Sequence, residues 1–317
     1  MSDKSFETFY SSRADNSMQP ALLQKARSEA PRPLLVALHT WSCDRYTCSW
    51  ELYRSCCEVL DWHLIYPEFR GPNTRPEACG SELVVQDIVS AMEYAKSVCN
   101  VDPDKVYLAG GSGGGHAALL TAGRYPELWT AVSTWCPISD IAIWHRECEN
   151  HCRVYHDHIE LVCGGDPWQD ENARAEAAKR SPATYLAGAE KKTIIDISTG
   201  IHDGHAGSVP ISHAFRAFNL MCAPGDRFSE SDIDFMVKNE AIPAGLQYRG
   251  EAEPSFEERA ILLRRVSGNV RITIFEGAHN ILGGAACAWL ANQLEPLKPD
   301  WRVCGKCVLS NDSELTH

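Results

Sequence analysis

The chain reads as an α/β domain, with a mostly parallel central sheet flanked by helices. Three observations lead there. Short apolar runs of strand length alternate with segments whose apolar residues recur at helical spacing. One such run, Val106 to Ala109, passes straight into Gly110-Gly111-Ser112-Gly113-Gly114-Gly115 and then a helix-like stretch, His116 to Arg124. The length, 317 residues, suits one such domain with an insertion and a large buried core.

The elements follow in order. Phe6 to Ser11 and Met18 to Leu23 make a hairpin around Asp15-Asn16. Pro33 to Leu38 is a buried strand that ends in His39-Thr40-Trp41-Ser42. Val84 to Cys99 sets Val84, Ile88, Met92, Ala95 and Cys99 on one helical face. Ala131 to Cys136 and Thr193 to Ser198 are strands, and Val270 to Phe275 is an alternating one. Pro210 opens a helix bearing Ile211, Ala214, Phe215 and Phe218, and Ala285 to Leu294 is an apolar helix. Residues 137–190 are expected as a cap-like insertion over the strand ends. Residues 300–317 are expected as a peripheral tail of the one domain, 1–317. Pro224 to Glu258 is polar and suits a pocket wall or an interface.

The chemistry centres on Gly111-Gly113 around Ser112, a Gly-x-Ser-x-Gly turn between strand and helix. Such a turn lifts a serine hydroxyl above the sheet edge, and the close backbone contacts there call for glycine. The Gly113 amide then faces a developing oxyanion. A serine nucleophile needs a base and the base an orienting acid, in chain order Ser, acid, His. Asp203 follows the Thr193 to Ser198 strand, and His279 follows the Val270 to Phe275 strand. Asp196 competes for the acid role but lies inside a strand and should point into a packed layer. His202 and His205 flank Asp203, as supporting or as exposed groups. The Trp41 amide is the expected second oxyanion donor, and its indole either walls the substrate pocket or is plain core. Thr40 stands where hydrolases of this kind often carry glycine. Trp144 is expected to shape the pocket from the insertion. Glu68, with Glu77 and Glu82 as alternatives, is a candidate anchor for a substrate ammonium.

The chain resembles the α/β-hydrolase fold and, within it, the catalytic domain of the prolyl oligopeptidase family. The resemblance runs over roughly residues 18 to 295. It is carried by Val101-Asp102-Pro103-Asp104-Lys105-Val106-Tyr107 before the serine turn and by Gln86-Asp87-Ile88. Arg180-Ser181-Pro182-Ala183-Thr184-Tyr185-Leu186 and Val209-Pro210 after Asp203 complete it. It implies Ser112, Asp203 and His279 as a triad. Two departures stand out. The interval from Asp203 to Val209 is longer than the family's usual one. The first core strand begins at Pro33, leaving no room ahead of it for the family's propeller, so peptidase activity is not expected to come with the resemblance.

Composition narrows the partners. With 30 basic and 42 acidic residues the net charge is −12, which disfavours nucleic acid and polyanions. No run of 18 apolar residues suggests a membrane span, and no secretory leader opens the chain, so a cytoplasmic location is expected. Most of the 14 cysteines read as small buried hydrophobes. Cys304-Gly305-Lys306-Cys307 is a single pair, expected as exposed thiols or a tail disulfide. His145-x-x-Cys148-x-x-x-Cys152 has ligand-like spacing, yet helical periodicity also explains Trp144, Cys148 and Cys152 as an apolar face. No metal and no cofactor is expected.

The expected function is a serine-dependent carboxylic ester hydrolase working through an acyl-enzyme on small esters, with acylated carbohydrate as a substrate guess. Two alternatives stand beside it: a small serine aminopeptidase or dipeptidase, and a non-catalytic binding protein of the same fold.

Overall fold

The computed structural model describes residues 6–46 and 49–302. Nine strands form one sheet: β1 (Glu7–Ser11), β2 (Met18–Gln24), β3 (Arg32–Leu38), β4 (His63–Pro67), β5 (Val101–Gly111), β6 (Ala131–Trp135), β7 (Ile194–Gly200), β8 (Ile261–Ser267) and β9 (Val270–Phe275). Their order is β1-β2-β4-β3-β5-β6-β7-β9-β8. From β4 to β9 all neighbours run parallel, while β1, β2 and β8 are antiparallel additions at the edges. β3, β4, β6, β7 and β9 are buried on nearly every residue, as expected of strands covered on both faces.

Nine α-helices pack around the sheet among the described residues: α1 (Ser49–Leu60), α2 (Glu82–Val98), α3 (Gly113–Arg124), α4 (Ile141–Asn150), α5 (Tyr155–Cys163), α6 (Glu171–Arg180), α7 (Ser212–Met221), α8 (Glu230–Asn239) and α9 (Gly283–Leu290). The Ser81 hydroxyl caps α2 by accepting from the Val84 amide, and Asp140 and Asp170 cap α4 and α6 in the same way. The Phe6 to Leu23 hairpin, the parallel strands and the helices at 84–99 and after Pro210 form where the sequence places them, while the last helix, expected over Ala285 to Leu294, spans Gly283–Leu290. β8 is an element that the sequence reading lacked. It carries a register shift between Ile261 and Leu263, which blurs the alternation that marks an edge strand.

Residues between β6 and β7 fold as α4, α5 and α6, which share an apolar cluster with Trp41. The two ends of this segment are stitched together. The Ile141 amide donates to Ser181 Oγ at 2.9 Å, and the Ala183 amide to the Ser139 carbonyl at 2.9 Å. Arg180, buried at the end of α6, donates to the carbonyls of Pro76, Ala78 and Cys79, and so fixes the loop after β4. Cys56, Cys57, Cys79, Cys136, Cys148, Cys163, Cys222 and Cys287 are buried and unbridged. The Cys304–Cys307 pair lies outside the described residues. No helix of the described residues is long and apolar enough to cross a membrane.

Candidate active site

β5 delivers Ser112 into a turn at φ 55°, ψ −122°, and α3 starts at the next residue. Few side chains tolerate that backbone, and it is held here by hydrogen bonds. The Ser112 amide donates to the Trp135 carbonyl at 2.8 Å, and its carbonyl accepts from His116 at 2.9 Å. His116 in turn is buried, bonds the Arg180 carbonyl through Nε2 at 2.7 Å, and is pushed down to about 4 by burial. The ring is therefore neutral and structural.

His279 follows β9 and Asp203 follows β7. The His279 Nδ1 lies 2.8 Å from Asp203 Oδ2. The other carboxylate oxygen accepts the amides of Gly204 at 3.0 Å and Val209 at 3.1 Å. The long interval between Asp203 and Val209 is thus a loop that curls around the carboxylate. Gly207 makes this possible, since a Cβ there would stand 2.3 Å from Asp203 Oδ1 and 2.7 Å from His279 Cβ. Burial opposes charge on His279, and the Asp203 carboxylate outweighs it, so the imidazole pKa is raised well above 6.5. Cys136 directly follows β6 beside this pair, and its thiol, pushed up by burial, donates to the Asn280 carbonyl at 3.5 Å.

Ser112 and His279 line one pocket of about 230 Å³ with Trp41, Cys43, Tyr155, Ser208 and Ile281. No acid and no permanent cation is among its described lining residues. Trp41 also approaches the serine turn through its backbone. A Cβ on Gly113 would lie 2.5 Å from the Trp41 nitrogen, so glycine alone lets the two backbones meet. The Gly113 amide is at the open N-terminus of α3, where backbone donors have no partner one turn back. The Trp41 amide donates to no backbone carbonyl among the described residues. Two such backbone donors side by side next to Ser112 are the kind of arrangement that can receive an oxyanion.

Two expected binding residues stand elsewhere. Glu68 does not line the pocket: its carboxylate is bound by Arg45, which donates from Nη1 at 3.0 Å and from its amide at 3.1 Å. Trp144 is 1 % exposed and does not face the pocket. Its indole meets Trp41 edge-on at 4.7 Å, stacks on Tyr155 at 5.1 Å, and donates to the Ser208 carbonyl at 2.9 Å, so it braces three lining residues from behind. Asp196 is buried against Arg271 at 2.7 Å, away from His279. His202 bridges Glu240 and Glu276, at 2.7 Å on each side. Tyr155, Ser208 and Cys43 had no signal in the sequence, while Gly207 had one, the unusual length of the acid loop.

A central parallel sheet, a serine on a strained strand-to-helix turn, and a carboxylate-held histidine after the last parallel strand define an α/β-hydrolase fold of the serine-hydrolase class. Residues 81–236, just under half of the chain, match the prolyl oligopeptidase family, peptidase S9. That stretch contains Ser112 and Asp203, and His279 lies beyond it. The structure is similar to a puromycin-hydrolyzing peptidase of Mycobacterium tuberculosis, with a TM-score of 0.59 at 13% identity over 94% of this chain. It is similar to the acylaminoacyl peptidase of Pyrococcus horikoshii, with a TM-score of 0.56 at 16% identity over 86% of this chain. Prolyl oligopeptidase B of Galerina marginata gives 0.51 at 14% identity over 67%. The chain spans 40%, 37% and 30% of those proteins respectively. At such identities the likeness is one of fold.

Proposed function

We propose that the protein is a serine peptidase of small substrates whose acyl side carries no free ammonium group. Ser112 Oγ attacks the carbonyl carbon, and His279 Nε2 takes its proton and hands it to the departing amine. Asp203 holds the proton on Nδ1 and stabilises the imidazolium, and water then hydrolyses the acyl-enzyme. The Gly113 and Trp41 amides receive the oxyanion.

The observation that carries this reading is the uncharged pocket into which Ser112 and His279 both open. An aminopeptidase of free amines needs an acidic anchor there, and the best candidate, Glu68, is spent on Arg45. The match to a peptidase family favours amides over the esters first expected, and the neighbour from Pyrococcus is by name a peptidase of acylated amino acids. Esters remain the second reading, since the same chemistry cleaves them more readily than amides.

The test compares N-acetyl-alanine p-nitroanilide, alanine p-nitroanilide and p-nitrophenyl acetate. The blocked amide is expected to exceed the free amine in kcat/KM by at least about tenfold, roughly the cost of leaving one ammonium unpaired. A preference for the free amine overturns the uncharged-pocket argument. Turnover of the ester alone returns the protein to the esterases.

A further inference from the structure

We propose that His145, His156 and Glu160 form a binding site for a divalent transition-metal ion, with zinc the best match, which clamps α4 to α5. The site uses none of the residues assigned to the serine chemistry. Its donors come from two helices. α4 contributes His145, which is fully buried. α5 contributes His156 and Glu160, four residues apart and hence on one face. One donor atom from each of the three lies within 4.8 Å of the others. A tetrahedral zinc with bonds of about 2.0–2.1 Å wants donor spacings of roughly 3.4 Å, a closure of at most about 1.4 Å. The half-exposed Glu160 and partly exposed His156 have the freedom to make it.

The surroundings of His145 supply the second argument. Its Nε2 lies 3.0 Å from Glu160 Oε1. Its Nδ1 is buried with no hydrogen-bond partner, and Asp166 Oδ1 stands 3.8 Å from it. An ion held between His145 and Glu160 would have Asp166 behind the ring, the carboxylate–histidine–metal arrangement that orients metal-bound imidazoles. Two imidazoles and one carboxylate suit zinc, cobalt or nickel and not magnesium or calcium, which want oxygen donors. Glu160 keeps one side of the site open for a water as the fourth ligand.

The spacing His145-x-x-Cys148 in the sequence points to different partners. Cys148 is buried in the apolar cluster below α4, while His145 meets α5. The ion would stiffen the α4–α5 turn. That turn carries Arg153, whose Nη2 donates to the Gly204 carbonyl of the acid loop at 2.7 Å, and leads into Tyr155 at the start of α5, which walls the pocket.

The test uses the full chain with Cys304→Ser and Cys307→Ser, stripped by a chelator, and titrated with zinc against a chromogenic zinc indicator. One equivalent is expected to bind at micromolar or tighter affinity. His156→Ala and Glu160→Gln, both at the accessible side of the site, are each expected to weaken it by at least about 100-fold with unchanged circular dichroism. Cobalt in place of zinc is expected to give a four-coordinate visible spectrum with no sulfur-to-cobalt charge-transfer band. The proposal is overturned if no zinc binds, if both variants bind as well as the parent, or if the sulfur band appears.

Discussion

Replacing Asp203 by asparagine changes one oxygen into an NH2 group of nearly the same shape, and the surroundings dictate which one changes. Asp203 Oδ1 accepts two amides, from Gly204 and Val209, whereas Oδ2 faces His279 Nδ1 at 2.8 Å and accepts from the Thr199 hydroxyl, which can rotate, at 3.4 Å. An NH2 turned toward the two amides would set donor against donor twice in a buried site. The asparagine oxygen therefore stays with the amides, and the NH2 faces His279 Nδ1. That nitrogen must then carry the lone pair, and Nε2 the proton. The base is left in the tautomer that cannot accept a proton from Ser112. The loss in kcat should be about 10⁴-fold, or ~5.4 kcal/mol, the figure for this change in another triad. The pH at which kcat/KM rises should also fall in the variant, because the carboxylate that raises the His279 pKa is gone. Steady-state kinetics from pH 5 to 9, with urea unfolding as the control, measure both. Asp196→Asn is the matched comparison. It removes the charge beside buried Arg271, but keeps an acceptor for Nε, while Nη1 keeps the Trp301 carbonyl at 2.9 Å. It should cost stability near the low end of about 3–5 kcal/mol and leave kcat intact. A folded Asp203→Asn enzyme within tenfold of the parent, beside an inactive but stable Asp196→Asn, would refute the assignment of the acid.

Ser112→Ala should abolish turnover and fluorophosphonate labelling while the thermal midpoint barely moves, and labelling that persists would remove Ser112 from the mechanism. Gly113→Ala puts a methyl 2.5 Å from the Trp41 nitrogen and must push the two amides apart. It is expected to lower kcat by about 10²–10³-fold with little change in KM, and a large KM effect with intact kcat would argue against the oxyanion cradle. His202 has its pKa raised: burial opposes its charge, and the hydrogen bonds to Glu240 and Glu276 prevail. Its contribution to stability is therefore complete below about 6.5 and disappears as pH rises through the higher folded value. Thermal melts of His202→Gln should converge with those of the parent by pH 9 and diverge at pH 6; parallel curves would show that the bridge is silent.

The serine turn was legible because its chemistry is local: glycines, a strand before and a helix after are all visible in twenty residues. Asp203 and His279 were legible because parallel strands end on one rim, so the loops after β7 and β9 had to meet. The errors came from contacts made across the fold. Helical spacing marks Trp144 as apolar but does not reveal that its ring backs onto Trp41 and Tyr155. Glu68 looks free until the fold brings Arg45 to it. Spacing sets His145 beside Cys148, while the ring's own contacts are with Glu160 and His156 on the next helix. β8 was missed because its pairing carries an irregularity at Ile261.

The stitching at the two ends of the α4–α6 segment bears on how such a protein diversifies. Ser139 and Ile141 on the outgoing strand of chain, and Ser181 and Ala183 on the returning one, close the segment at its neck with two hydrogen bonds. What lies beyond the neck is a loop in the polymer sense, and the entropy of closing a loop grows only logarithmically with its length. Helices can be lengthened there at little entropic cost, provided that the ties they send out of the neck are kept, from Arg180 to the loop after β4 and from Trp144 to Trp41. Since Tyr155 reaches the pocket from inside that neck, the pocket wall can be reshaped from within one closed segment, so long as Trp144 and Arg153 keep their holds on Trp41 and the acid loop.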